Sequence, residues 1–251
     1  MMEEELETVD PQEQFQEFLK NEKYRQRIAQ LSVNGKKSLS IDFDDLFAFD
    51  QQLAEKLLEK PDEYTRHADN AAYAQLQIED PEYAEKTETV TIRVIELLET
   101  AQLRKLGSEH LGRLVMVEGI IVRSTPVRPM VMQAAFKCRC GEINHVNQAG
   151  PFLRAPFECP TCKRKGPFDF VQEESTFVDS QELRIQERPE DLPPGQLPRT
   201  LLVKLVGSEI VDLARPGDNV SIVGIVRAIA PTLPRVGRLR TFILHLDANS
   251  V

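Results

Sequence analysis

All four cysteines of the chain lie between positions 138 and 162, as Cys138-Arg-Cys140, then 18 residues, then Cys159-Pro-Thr-Cys162. Gly141 follows the first pair and Pro160 sits inside the second, so each pair suits its own tight turn. Zinc takes four S or N ligands in a tetrahedron, and two close pairs supply that geometry at small entropic cost. The N-terminus, MMEEELETVD, lacks the basic start and apolar run of a secretory signal, so export is not expected. In an unexported chain, clustered cysteines point to a metal site rather than a disulfide framework. The expectation is a structural zinc site held by Cys138, Cys140, Cys159 and Cys162. His145 is an alternative ligand from the same stretch.

The chain has 251 residues, 31 Lys+Arg, 40 Asp+Glu and a formal net charge of −9. That length accommodates one large or two to three small domains and buries a core without disulfide staples. At 41% hydrophobic it is too apolar for a disordered chain. No run of about 18 apolar residues occurs, so no membrane span is expected. The charge is unevenly spread. Residues 1–90 hold 22 acidic and 10 basic side chains; residues 91–251 hold 18 acidic and 21 basic. Gly119 to Gly141 has no acid but has Arg123, Arg128, Lys137 and Arg139. Asn219 to Leu246 has no acid but has Arg227, Arg235, Arg238 and Arg240. A local basic face can bind a polyanion even on an acidic protein, because salt screens charges beyond about 10 Å.

The first 90 residues read as helical. Phe15, Phe18, Leu19, Ile28 and Leu31 fall near a 3–4 residue spacing. A second helix runs from a cap at Asp42 or Asp44 through Leu46, Phe47, Leu53, Leu57 and Leu58 and is closed by Pro61. A short helix is expected around Ala71–Ile78. From Thr89 the pattern becomes alternating. Strands are expected over Thr89–Val94, Leu114–Val122 (bent at Gly119), Met130–Phe136, Phe168–Phe177, Glu182–Gln186, Leu201–Val206, Asn219–Ala230 and Arg240–Leu246, with a helical turn within Leu103–Leu111. Pro and Gly separate them. Many short strands with turn signals imply a barrel or sandwich, and five or six suit an OB-type barrel.

Linking the last two of these strands, the turn segment Ala230–Arg240 has two prolines, a glycine and three arginines and should project from a barrel. Arginine pairs bidentately with phosphate. No G-x-x-x-x-G-K-[ST] phosphate loop, H-E-x-x-H or G-x-S-x-G motif is present, and the four histidines are scattered. Trp is absent and aromatics are 6%, so base stacking should contribute little and binding should lean on phosphates.

Two stretches carry a resemblance. One is Gly112-Arg-Leu-Val-Met-Val-Glu-Gly-Ile-Ile-Val-Arg-Ser-Thr-Pro-Val-Arg-Pro129. The other is Arg184-Ile-Gln-Glu-Arg-Pro-Glu-Asp-Leu-Pro-Pro-Gly-Gln-Leu-Pro-Arg199, followed by Asp212-Leu-Ala-Arg-Pro-Gly-Asp218. The chain resembles the N-terminal region of the minichromosome maintenance replicative DNA helicases, most closely archaeal ones. The resemblance implies an α+β, mostly β fold. Its parts are an acidic helical subdomain over 1–90, a discontinuous OB-fold over 91–136 and 168–251, and a zinc-binding insertion at 137–167. It also implies a basic hairpin at 228–242 and an inter-domain communication loop at 186–199. Arg123 and Arg184 match the family's barrel arginines for single-stranded DNA. Arg128 and Arg199 match less closely, and Arg235, Arg238 and Arg240 belong to the channel hairpin. The CxC spacing departs from the two intervening residues of many members.

By the same resemblance, the partners would be single- and double-stranded DNA, further copies in a hexameric or double-hexameric ring, and a C-terminal AAA+ motor in the full-length protein. The location would be the archaeal cytoplasm, with the nucleoid. No ATPase motif stands in this chain, so no enzyme activity is expected of it; the full-length parent would be an ATP-dependent helicase. A different class of reading is a zinc-dependent interaction module or redox-regulated chaperone, because CxC with CxxC also marks oxidation-activated chaperones. In those the motif lies in a flexible C-terminal tail, whereas here it lies between predicted strands.

Overall fold

Pro11, Pro61 and Pro81 each stand at the start of a helix in the computed structural model, which describes residues 10–150, 152–230, 232–233, 237–238 and 240–251. Proline suits that position because no N–H is needed there and its φ is already helical. The helical layer runs α1 (Pro11–Leu19), α2 (Glu22–Asn34), β1 (Ser38–Asp42), α3 (Phe43–Phe49), α4 (Gln51–Glu59), α5 (Pro61–Glu79), α6 (Pro81–Thr87) and β2 (Thr91–Ile95). The single helix expected between Asp42 and Pro61 is two. Asp50 leaves helical geometry at φ −152°, and its carboxylate caps α4 by accepting the Leu53 N–H at 3.0 Å. Pro61 opens α5 rather than only ending its predecessor. α5 runs 19 residues and absorbs the short helix expected near Ala71.

β1 was not expected from the sequence. Its five residues, SLSID, pair in parallel with β2, Leu39 opposite Ile92 and Ile41 opposite Val94. The strand expected at Thr89–Val94 therefore forms, but pairs inside the helical layer. Val90, Ile92 and Val94 join Phe15, Tyr24 and Leu57 in one buried core.

Two single 3₁₀ turns, Leu103–Lys105 and Ser108–His110, replace the expected helical turn. Then come β3 (Leu114–Ser124), β4 (Arg128–Lys137), β5 (Ile143–Asn147), β6 (Asp169–Gln186), β7 (Thr200–Val206), β8 (Asn219–Ile229), β9 (Thr232–Leu233), β10 (Gly237–Arg238) and β11 (Ile243–Ser250). The pairings β3–β8–β11–β7–β6 return to β3, closing a five-stranded barrel. Closure removes the open edges that would otherwise invite aggregation. Leu183, Ile185, Val203, Ile222 and Leu246 fill it.

Gly119 permits the closure. A Cβ there would meet the Gln186 carbonyl oxygen at 2.6 Å, because β3 turns at this point from β8 towards β6.

The two strands expected at 168–177 and 182–186 are one strand of 18 residues, β6. Its first part pairs with β4 outside the barrel and its last part lies between β7 and β3. β4, β5 and the start of β6 form an arm that carries the cysteine segment.

The helical layer sits on the outer face of β3 and β8, where Leu114 and Val223 join its core. Asn249 at the end of β11 acts as a substitute strand. Its amide accepts the Val94 N–H at 2.6 Å and donates to the Ile92 carbonyl at 3.0 Å. Arg227 donates to Asp62 of α5 at 2.8 Å. Its sequence neighbourhood has no acid, yet the fold supplies one, so this member of the basic cluster is an inter-layer tie. No helix among the described residues is long and apolar enough to cross a membrane.

Candidate nucleic-acid interface and metal centre

The arm ends in two knuckles. In the first, the Cys138 N–H donates to the Glu142 carbonyl and the Gly141 N–H to the Cys138 carbonyl, with Gly141 at φ 97°. In the second, the Lys163 N–H donates to the Cys159 carbonyl and the Cys159 N–H to the Arg164 carbonyl. These turns aim four sulfurs at one point. All four Sγ atoms lie within 4.8 Å of one another. Cys138 and Cys162 are 3.6 Å apart, and Cys140 and Cys159 are 3.8 Å apart. Sulfurs at the corners of a tetrahedron about 2.3 Å from a zinc ion would be about 3.8 Å apart, so the set fits a tetrahedral metal. CxC spacing therefore converges as well as CxxC here. His145 is exposed on β5 and stands outside the cluster.

The thiols are electrostatically unequal. The backbone N–H of Cys162 leads the interactions that lower the Cys159 pKa to about 6. At Cys140 the Glu142 N–H favours the thiolate. Hydrogen bonds with the other thiols, Cys138 foremost, and burial outweigh it and push the thiol up to about 12. Four thiolates could not share this space without a cation, and a divalent ion would supply the missing charge.

On the barrel, Arg123 of β3 and Arg184 of β6 are cross-strand partners, and both are exposed. Arg128 begins β4 opposite Ser180, whose hydroxyl donates to the Arg128 carbonyl at 3.0 Å. Among the described residues no ion pair falls between positions 119 and 186. Arg123, Arg128 and Arg184 thus have no carboxylate within salt-bridge distance. Arg199 is exposed at the end of the Pro-rich loop. Of the hairpin arginines, Arg240 is exposed, the backbone of Arg238 lies in β10, and Arg235 is outside the described residues.

Sequence reasoning missed what holds the Pro-rich loop. Glu187 is buried and receives both arms of the Arg104 guanidinium at 2.8 Å. Its carboxylate also accepts the Arg199 N–H at 2.9 Å. Arg188 pairs with Glu118 and with Asp191, each at 2.8 Å. The Arg104 guanidinium holds the Glu187 carboxyl below the usual glutamate range. The Glu-Arg of the Ile-Gln-Glu-Arg-Pro string is thus the loop's fastening, and Arg104, 83 residues earlier, is the partner no local pattern could reveal.

Comparison with known proteins agrees with this architecture. Residues 12–96 match the MCM N-terminal domain model and residues 102–230 the MCM OB domain model. The minichromosome maintenance protein MCM of Saccharolobus solfataricus is 31% identical over 256 residues, covering 97% of this chain and 37% of that protein. The DNA replication licensing factor mcm4-A of Xenopus laevis is 30% identical over 227 residues, covering 89% of this chain and 26% of that protein. The DNA replication licensing factor Mcm2 of Drosophila melanogaster is 29% identical over 209 residues, covering 80% and 23%. The chain therefore spans well under half the length of these relatives.

Proposed function

The chain belongs to the minichromosome maintenance family, and from that premise we propose that it is the DNA-binding, ring-forming collar of a replicative helicase. The carrying observation is the Arg123–Arg184 pair: two exposed guanidinium groups, directly opposite and without a carboxylate partner, on the barrel face of an MCM OB domain. Like charges directly opposite on a sheet repel. A phosphate between them would turn that cost into two charge-assisted contacts. Arg128, Arg199 and the hairpin residues Arg235, Arg238 and Arg240 extend the same phosphate-binding role. No base-reading constellation accompanies them, so binding is sequence-tolerant.

The metal in this reading is zinc, held by Cys138, Cys140, Cys159 and Cys162 in a structural role. The sulfur spacings and the all-thiolate donor set support it. The assembly is a hexameric or double-hexameric ring encircling single- or double-stranded DNA. The ATPase motor belongs to the full-length protein. The Pro-rich loop over 186–199, fastened through Glu187 and Arg188, communicates between the collar and that motor.

Binding of fluorescent single-stranded DNA across a salt series, with metal retained, tests the collar reading. Several arginine–phosphate contacts predict affinity that falls steeply with salt. No binding at low salt and high protein concentration would refute it.

A further inference from the structure

We infer that the cysteine-bearing tip of the arm is a second single-strand contact, one that stacks bases on Phe152 and Phe157. The inference rests on the nucleic-acid reading above but not on the barrel arginines.

Two observations carry it. First, residues 137–167 contain six basic side chains and two acidic ones, a local net of +4 in a chain of −9. The six are Lys137, Arg139, Arg154, Lys163, Arg164 and Lys165. All are exposed, and none has an ion-pair partner among the described residues. Four thiolates around a divalent cation would carry −2, which still leaves the tip at about +2. Arg104, Arg188 and Arg227 each have a carboxylate partner, whereas the tip, like Arg123, Arg128 and Arg184 on the barrel, leaves its cations open.

Second, Phe152 is 75% exposed and Phe157 77% exposed. A side chain that large gains nothing from water, and each ring offers a face to a partner. Lys165 stands over the Phe157 ring, 4.7 Å from its centre. Arg154, three residues before Phe157, is tied to Gln148. The Gln148 side chain both accepts from the Arg154 N–H at 2.7 Å and donates to the Arg154 carbonyl at 3.0 Å. An aromatic face beside unpaired cations fits a polyanion with flat faces: unpaired bases on a phosphate backbone. A protein partner of plain hydrophobic character would instead leave six cations to be desolvated.

The test compares two oligonucleotides of equal length, one normal single strand and one with abasic sites throughout, which keeps the phosphates and lacks the bases. Phe152→Ala with Phe157→Ala is expected to weaken the normal strand about fivefold or more and leave the abasic strand unchanged. Metal content equal to wild type confirms the tip is intact. Arg123→Ala with Arg184→Ala weakens both strands alike, which separates the barrel reading from this one. A second variant, Arg154→Gln with Lys165→Gln, lowers the salt dependence for both strands. Wild-type protein that binds normal and abasic strands equally overturns the stacking claim and leaves the barrel reading standing. A phenylalanine variant that binds both strands normally but loses concentration-dependent self-association overturns it in favour of a contact between copies.

Discussion

Arg123 and Arg184 are register partners across the seam that closes the barrel, β3 against β6. Sixty-one positions apart in the chain, they meet because Gly119 lets β3 turn towards β6 four residues earlier. Opposed like charges on a sheet cost a few tenths to about 1 kcal/mol. Arg184→Gln alone should therefore leave thermal stability unchanged or raise it slightly while weakening DNA binding. A clear fall in melting temperature would mean the pair is structural.

Gly119→Ala tests the seam. Its methyl group would press on the Gln186 carbonyl oxygen, which is backbone and cannot rotate away. The expected loss is about 1–3 kcal/mol, as for other overpacked sites, measured by denaturant unfolding. A neutral result would show that the seam relaxes freely.

Asp69 on α5 accepts the Ile92 N–H at 2.6 Å and is pushed up to about 6, chiefly by burial. Its folded value lies above its unfolded value, near 3.9. Between roughly pH 4 and 6 the folded form binds more protons, so this group's contribution falls as pH rises through that window. The swing is on the order of 2–3 kcal/mol. Asp69→Asn keeps an oxygen acceptor and removes the buried charge. Its unfolding at pH 7 should shift to higher temperature, with a shallower pH dependence between 4 and 6. An unchanged slope would exonerate Asp69.

Glu187 behaves in the opposite sense. Arg104 lowers its folded pKa, so its contribution is complete above the ordinary glutamate value of about 4.3 and is lost as pH falls through the folded value. Glu187→Gln should make the loop at 189–198 a protease target at neutral pH while the barrel stays folded. Wild-type protein should show the same sensitivity only in acid. Equal cleavage of both proteins at pH 7 would mean the loop is fastened elsewhere.

Metal removal should loosen residues 137–167 and spare the barrel, whose core is separate. Hydrogen exchange after chelation reads this directly. Metal analysis far below one zinc per chain would contradict the site.

Much of this architecture was legible because the signals were local. Cys138, Cys140, Cys159 and Cys162 announced their cluster by spacing alone, and alternation located the barrel strands. What stayed hidden depended on distant partners. β1 is five residues inside a helical stretch and is a strand only because β2 lies beside it. Arg227 looked free because its neighbours in sequence are uncharged, but Asp62 is brought to it by α5. Arg104 carried no motif and acquires its role from Glu187. Phe152 and Phe157 counted for little in a chain low in aromatics; their exposure, set by the fold, gives them weight.

The most direct measurement is the salt dependence of single-stranded DNA affinity for wild-type protein and for Arg123→Ala with Arg184→Ala. If both arginines contact phosphate, the variant binds more weakly and its log–log salt slope is shallower by about 1.4, with the barrel still folded. A folded variant with the wild-type affinity and slope would contradict the assignment of the barrel face to DNA.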